Sequence, residues 1–481
     1  MSGSHVVLMC VVAMCVPANA AETVPRAVAK KAESARKSAA AELLKLAKAC
    51  SRAKAFDKAV LELERASAVA IDATKISKER KSIAGRAPAS SESFGEKLVT
   101  LRAAADEKCI ALLVDVCEFA SQRDAPTTYA EIATLLMSHF PRDQVQAELG
   151  IELKWFEPYQ CWTAPDDVAR YEGGSEFFEG QWYDAEGVAA LNAQHSEWSD
   201  RWQLEDEVHR VETTMSLRTA KQVLAYVGAY RRFFLREFAD EWDLRAYRGK
   251  LPVIVTQTNA ELSLRLDDIP NGSTISMPLR MGAETFSAPD GLAYCVMAFE
   301  AGKPGRLLDM PFELLKNPLK RSLTFQITLA YSVHATSRKA ITHQFWCSLG
   351  LGEFMQYYVL EEGKWRLSHP RLLHLRPGES TNGAFAYCKE NLDSLPSLTK
   401  LFSMQDSEFG AGVHFQLAAT VCNFLLHGKG GEYRPSFIGL LQETHQAKAT
   451  PESWNKFFPG VDMDALQSEF EEFVRGLEID R

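Results

Sequence analysis

The sequence changes character at Leu153, and this change constrains the fold more than any other feature. Before it, Ala-, Lys- and Glu-rich stretches with no proline between Pro25 and Pro88 favour helices. After it, five of the nine tryptophans lie before Leu204 among turn-forming glycines, and strand and helix patterns then alternate. This texture predicts an α+β fold. Its expected parts are an N-terminal helical region (21–147), a small Trp-rich β module (150–204) and a mixed α+β domain (205–481) with a helical C-terminal part.

The first 20 residues are predicted to be a secretory signal peptide. Val6 to Val16 is an apolar run that is too short to span a bilayer, and Ala18-Asn19-Ala20 is a small-x-small cleavage site. We expect cleavage between Ala20 and Ala21. The mature chain would then be exported, to the periplasm or the extracellular space, and would contain no transmembrane segment.

Export would place the chain in an oxidising compartment. Two of the ten cysteines leave with the signal peptide, and the other eight are scattered singly without a CxxC pair. Zinc-ribbon and redox motifs are therefore excluded. The cysteines could form one or two disulfides or be buried free thiols, and the sequence does not distinguish these two alternatives. The eight are Cys50, Cys109, Cys117, Cys161, Cys295, Cys347, Cys388 and Cys422.

The charge is unevenly distributed. The net charge of −9 argues against a general nucleic-acid binder. Residues 22–81 nevertheless hold fifteen Lys or Arg against eight Asp or Glu, a net +7 that leaves −16 for the rest. This basic stretch is interpreted as a solvated helix face or as a surface that docks on the acidic part of the chain, with an anionic partner surface as the alternative.

Two amphipathic helices are expected to meet at a turn near Lys54, with alanines that allow close approach. Their pattern resembles one tetratricopeptide helical pair. A single pair cannot bury its own apolar face, so it must pack on something else. The resemblance implies a protein partner for this region. The positions that carry it are Leu43, Leu46, Ala47, Cys50, Phe56, Ala59, Leu63 and Ala66.

The segment Trp346 to Phe354, WCSLGLGEF, resembles the W-x-S-E-G-x-A-E-[YF] segment of gluzincin metallopeptidases, in particular the peptidase-MA-like domain of secreted bacterial proteins. In that family an earlier HExxH helix supplies two zinc-binding histidines and a glutamate base. The first Glu of the later segment is the third ligand. Here Leu349 occupies that position, and the chain contains no HExxH.

The missing motif can be placed in two registers. In the first, Tyr331 and Ala335 stand at the histidine positions and Ser332 at the base. In the second, only His343 survives, and Leu349 follows it by only six positions, too few to connect two helices. We therefore prefer the first register. Since a catalytic zinc site needs three protein ligands and a base, the resemblance implies a zincin-like frame without catalytic residues or metal.

Further segments resemble parts of the same domain. They imply an opening strand at Val208–Ser216, a first helix at Ala220–Phe238 and a buried strand at Leu251–Thr256. They also imply a turn and strand that line the cleft at Ser287–Ala298 and a closing helix at Asp462–Arg475. The side chains expected to line the vestigial cleft are Tyr294, His334, His343, Trp346 and Glu353.

The leading hypothesis is an exported, non-catalytic relative of gluzincin peptidases without a cofactor. It would bind a peptide or protein through its helical N-terminal region or its vestigial cleft. The first alternative is an active zinc hydrolase with atypical ligands, for example His334, His343, Glu353 and His369. The second is a cell-wall glycan binder that uses the module's tryptophans, Trp155, Trp162, Trp182, Trp198 and Trp202.

Overall fold

The computed structural model describes residues 26–71, 74–83, 92–242, 244, 250–256, 273–274, 283–287, 293–298, 323–325, 327–329, 331, 343–376, 379–404, 408–409, 412–446 and 448–480. The expected signal peptide lies outside the described residues, as do Ser332, His334 and Ala335. Of Tyr294, only the backbone is described.

The described part of the N-terminal region forms six helices: α1 (Arg26–Arg52), α2 (Phe56–Val69), α3 (Thr74–Ile83), α4 (Glu92–Ser121), α5 (Pro126–His139) and α6 (Arg142–Leu149). The turn between α1 and α2 contains Lys54, whose φ of 60° is left-handed. All eight positions assigned to the interface of this pair are buried. The pair packs on α4 and α5, where Leu113 and Ile132 belong to the same core, which supplies the partner surface that one helical pair requires.

The Trp-rich module is mixed rather than purely β. Its strands are β1 (Lys154–Phe156), β2 (Cys161–Thr163), β3 (Glu176–Phe178), β4 (Gln181–Tyr183) and β5 (Trp202–Glu205), and its helices are α7 (Pro165–Glu172) and α8 (Ala185–Gln194). β1–β2 and β3–β4 are antiparallel hairpins. The module encloses a small buried cluster of its own, formed by Phe156, Val168 and Tyr171. Trp155 and Trp162 pack on the N-terminal helices, whereas Trp202 belongs to the core of the C-terminal domain.

Among the residues that the structure describes, a six-stranded sheet of order β5-β6-β7-β10-β9-β8 organises the following domain. It comprises β6 (His209–Thr213), β7 (Leu251–Thr256), β8 (Ser273–Thr274), β9 (Ala283–Ser287) and β10 (Ala293–Ala298) together with β5. β6, β7 and β10 are parallel, and the outer strands are antiparallel to their neighbours. Helix α9 (Leu217–Trp242) connects β6 to β7, which is buried at all six residues as predicted.

Helices dominate the described residues that follow β10. Residues 323–325, 327–329 and 331 are helical and buried, and we call them the Tyr331 segment. The later helices are α10 (Phe345–Met355), α11 (Ala384–Glu390), α12 (Leu398–Ser403), α13 (Gly412–His427), α14 (Arg434–His445), α15 (Ser453–Phe457) and α16 (Met463–Gly476). Two hairpins lie between α10 and α11, formed by β11 (Tyr358–Glu361), β12 (Lys364–Leu367), β13 (Leu372–Arg376) and β14 (Glu379–Asn382). Short 3₁₀ turns occupy Glu157–Tyr159, Trp198–Asp200, Leu392–Ser394 and Gly428–Gly431.

The α+β class is confirmed, and the described C-terminal helices share one core with α9 and β7. Within the described ranges, no helix combines the length and apolar character needed to cross a membrane.

Seven cysteines of the described structure are free thiols: Cys50, Cys109, Cys117, Cys161, Cys347, Cys388 and Cys422. All but Cys161 are buried. Burial raises the pKa of the Cys347 thiol to about 12, so this group stays protonated at neutral pH. The sequence left both disulfides and buried free thiols open, and these seven cysteines are free thiols. The side chain of Cys295 lies outside the described residues.

Replacing Gly350 of α10 by alanine is expected to lower the free energy of unfolding by about 2 kcal/mol. A methyl group there would lie 2.8 Å from the carbonyl oxygen of Ala418 and 2.9 Å from its Cβ. Because the obstacle is the backbone of α13, the two helices must separate. Gly95→Ala in α4 is the control, since no atom lies within 4 Å; it should stabilise by roughly 0.5–1 kcal/mol. Equal midpoints for the two variants in urea denaturation would contradict this expectation.

His445 at the end of α14 should make stability depend on pH. Its side chain is 1% exposed, and burial lowers its pKa to about 3, whereas the unfolded value is about 6.5. The unfolded chain therefore binds the extra proton below pH 6.5, and stability falls as the pH falls toward 3. Between pH 6.5 and 5 the loss is about 2 kcal/mol. Between pH 6.5 and 5, the free energy of unfolding of His445→Gln should fall by about 2 kcal/mol less than that of the wild type, as measured by urea denaturation at each pH. The same pH dependence in both proteins would show that His445 is not the group responsible.

Candidate functional site

Helix α10 contains the segment that resembles the gluzincin motif. All residues from Trp346 to Met355 are buried, so the helix lies in the centre of the domain. Leu349 is 2% exposed and Glu353 is 8% exposed. The Trp346 ring stacks on Phe402 at 4.6 Å, and its Nε1 donates to the Gln344 side chain at 3.0 Å. At 1% exposure Trp346 is a core residue, which corrects its expected place in an open cleft.

Two glycines allow other helices to approach α10. Gly350 lies against Ala418 of α13, and a methyl group at Gly352 would lie 3.1 Å from the Phe325 ring. Phe325 belongs to the Tyr331 segment. Helix α10 therefore packs between α13 and this segment. In the preferred register, the segment would contain the first lost histidine position.

Tyr331 participates in a chain of hydrogen bonds that sequence reasoning missed. Its hydroxyl is bonded to Nε2 of His209, whose Nδ1 lies 2.9 and 3.0 Å from the Asp206 carboxylate oxygens. Because the carboxylate accepts, we assign the ring proton to Nδ1, which leaves Nε2 to accept from the tyrosine. Because zinc ligands converge on one ion, the preferred register predicts that Tyr331, Ala335 and Leu349 face one another, and without a metal they would form an apolar cluster. The hydroxyl of Tyr331 instead occupies a polar position.

Asp206 is fixed by its own backbone turn. Its Oδ1 accepts from the backbone N–H groups of Val208 at 2.7 Å and His209 at 2.6 Å. Burial alone would raise the pKa of the Asp206 carboxyl, but the hydrogen bonds from the His209 side chain and from the backbone N–H groups of His209 and Val208 outweigh burial and lower this pKa. The sequence signal was an Asp three residues before a His at the start of a strand. Such an Asp commonly bonds nearby backbone N–H groups.

The hydroxyl contacts of the Tyr331 segment show which way Tyr331 points. Tyr226 of α9 is bonded to Thr324, and Tyr230 is bonded to Thr328 at 2.5 Å. Thr324, Thr328 and Tyr331 share one helical face by their spacing. Tyr331 therefore directs its ring at α9 and β6. Leu349 lies on α10, and both residues are buried in one core.

The ligands of the zinc-hydrolase alternative are not brought together where they are described. His343 precedes α10 and Glu353 lies near its end, so about 15 Å of helix separates them. Glu353 Oε2 accepts from Gln356 Nε2 at 2.7 Å. His369 donates from Nδ1 to the Glu478 carbonyl at 3.0 Å and packs on Phe385. Zinc ligands must lie roughly 2.0–2.2 Å from one ion, so His343 and Glu353 cannot share it.

The remaining predicted cleft residue, Tyr294, lies in β10 opposite Phe286 of β9. No group of three His, Cys, Asp or Glu side chains arranged to hold a metal ion occurs in the described part of the chain.

Comparison of the chain with models of protein families, with curated proteins and with solved structures finds no match.

Proposed function

We propose that this chain is an exported, non-catalytic relative of gluzincin peptidases that binds a peptide segment of another protein. The observation that carries the proposal is the burial of Leu349. An apolar side chain at the third-ligand position is 2% exposed in a helix enclosed by its neighbours. Burial of a leucine contributes roughly 1.5–3 kcal/mol, so this position now stabilises the core. A carboxylate ligand would have no role there without the two histidines.

A groove between α2 and α4 is the surface proposed for the peptide. It has a volume of about 450 Å³, and its walls include Leu61, Leu98, Val99 and Pro141. Leu61 is 47% exposed and Val99 is 70% exposed. Exposed apolar side chains that border a concave surface are typical of sites for amphipathic peptides.

Arg102 and Asp106, which line this groove, belong to a network of ion pairs between α2 and α4. Glu62 of α2 is 0% exposed and accepts from Arg65 at 2.8 Å and from Arg102 of α4 at 2.7 Å. Arg65 also pairs with Asp106 and donates to the carbonyl of His139 at 2.9 Å. Because both ends of the network are hydrogen-bonded, α2 and α4 keep a fixed spacing. A preformed groove loses less entropy when it binds a peptide.

Peptide selection tests the binding role. A phage-displayed peptide library is selected on the wild-type chain and counter-selected on a Leu61→Asp, Val99→Asp double variant. Enriched peptides should bind the double variant at least tenfold more weakly than the wild type. Leu112→Asp is the matched control, because Leu112 is 37% exposed on α4 outside the groove. Peptides that bind all three proteins equally, or no enrichment, would refute the groove as the site.

Metal analysis and a casein hydrolysis assay with and without added zinc test the non-catalytic role. We expect neither stoichiometric zinc in the purified protein nor zinc-dependent hydrolysis. Stoichiometric zinc together with hydrolysis would establish the zinc-hydrolase alternative instead.

The proposal of export predicts a mature chain that begins at Ala21. The physical reason is the short apolar run followed by small residues at the cleavage site. N-terminal sequencing of protein from the periplasm or the medium measures this directly. Recovery of a chain that begins at Met1 would reject it.

A further inference from the structure

A second concave surface lies where the N-terminal helices meet the β11–β12 hairpin. The hairpin tip, Glu362 and Gly363, is held by three contacts. Arg142 pairs with Glu362 at 2.6 Å, and the Trp162 indole N–H donates to the Glu362 carbonyl at 3.3 Å. Gly363 has a φ of 82° and lies so close to Ser138 of α5 that a Cβ would overlap its hydroxyl. These contacts fix the two walls relative to each other.

The resulting groove has a volume of about 890 Å³ and is lined by two tryptophans, Trp155 from β1 and Trp365 from β12. Each ring is supported from behind. Trp365 stacks on Phe233 of α9 with ring centres 4.8 Å apart and planes 14° apart. Trp155 meets Trp162 edge to face at 5.9 Å. Both indoles are half-buried, so the groove presents aromatic surface whose orientation is already fixed.

The polar lining is balanced in charge. Three cations and three carboxylates line the groove: Arg142, Lys364, Arg366, Glu157, Glu361 and Glu362. Arg366 binds both oxygens of Glu361, and Arg142 is paired with Glu362. Because these charges compensate one another, a charged ligand gains little net attraction. The paired groups still offer hydrogen-bond donors and acceptors to a ligand's hydroxyl groups.

We propose that this groove binds a neutral oligosaccharide. The apolar faces of sugar rings pack on flat indoles, which combine a large apolar area with few internal degrees of freedom. Sugar hydroxyls both donate and accept, which suits a lining of paired arginines and glutamates. The location also fits, since ligand sites occur preferentially where two structural units meet. This site is separate from the α2–α4 groove and does not depend on the function proposed there.

Titration of the full mature chain with defined hexasaccharides tests the proposal. The neutral probes are chitohexaose and cellohexaose, and the charged controls are hexagalacturonate and the chitosan hexamer. Isothermal titration calorimetry measures affinity, and indole fluorescence reports contact with tryptophan. At least one neutral hexamer should bind, and the two charged hexamers should bind at least tenfold more weakly.

The decisive variant is Trp155→Ala, and we expect at least a tenfold loss of affinity for the bound neutral hexamer. Trp155→Phe, which keeps an aromatic face, should recover part of the loss. Trp198→Ala is the matched control, because Trp198 is a half-buried tryptophan of the same module that packs on Arg201 outside the groove. Thermal denaturation confirms that each variant is folded. Absence of binding by both neutral hexamers, equal binding of charged ones, or wild-type affinity in Trp155→Ala would overturn the proposal.

Discussion

Replacing Leu349 by glutamate is expected to lower the free energy of unfolding by about 4 kcal/mol at pH 7. The leucine is 2% exposed in the centre of α10, so the variant loses an apolar contact and buries an unpaired carboxylate. Burial raises the pKa of such a carboxyl in the folded state. Protonation then favours folding, and the stability deficit should shrink as the pH falls through that raised pKa. Urea denaturation at pH 8 and pH 5 measures both effects.

Leu349→Met is the control for this variant. A volume-conserving apolar exchange should cost less than about 1.5 kcal/mol. Zinc should not raise the melting temperature of Leu349→Glu, because one carboxylate cannot supply the three ligands of a zinc site. A Leu349→Glu protein with wild-type stability, or one stabilised by zinc, would show that residue 349 is not buried in the core as the structure places it.

Glu176→Gln is expected to destabilise the protein by about 3 kcal/mol. Glu176 of β3 has a fully buried side chain that pairs with Arg218 at 2.6 Å and Lys221 at 3.3 Å, both on α9. It also accepts from the Tyr159 hydroxyl. The amide retains the shape but not the charge, so two partly buried cations lose their counter-ion. Because these bonds join the Trp-rich module to α9, the module should become more sensitive to proteolysis.

Glu172→Gln is the matched control, because Glu172 is an exposed carboxylate at the end of α7. Surface substitutions of this kind usually change stability by less than about 0.5 kcal/mol. Differential scanning calorimetry and limited trypsin digestion compare the two variants. Similar melting temperatures and similar cleavage rates would mean that the Glu176 network does not hold the module to α9.

The candidate site could be predicted only in part. The motif resemblance singled out the segment that forms α10, and the continuous apolar run from Leu251 to Thr256 indicated that β7 is a buried strand. The hydrogen-bonded chain through Asp206, His209 and Tyr331 could not be predicted, because 122 positions of the sequence separate His209 from Tyr331. The groove lined by Trp155 and Trp365 was missed for the same reason. Sequence reasoning counted tryptophans within one module, whereas the groove joins one of them to a tryptophan of a distant hairpin.

The sequence by itself determined the helical character of the N-terminal region and the buried strand β7, together with the faces of these elements that point inward. These properties follow from local periodicity: the buried positions of the α1–α2 pair repeat with helical spacing, and Leu251 to Thr256 is apolar throughout. Tertiary structure alone decided how those elements meet. Gly350 and Gly352 bring α10 close to two helices, and the turn at Asp206 aims His209 at Tyr331. The physical reason is that local pattern specifies an element's apolar face, whereas the partner of each side chain depends on how whole elements pack.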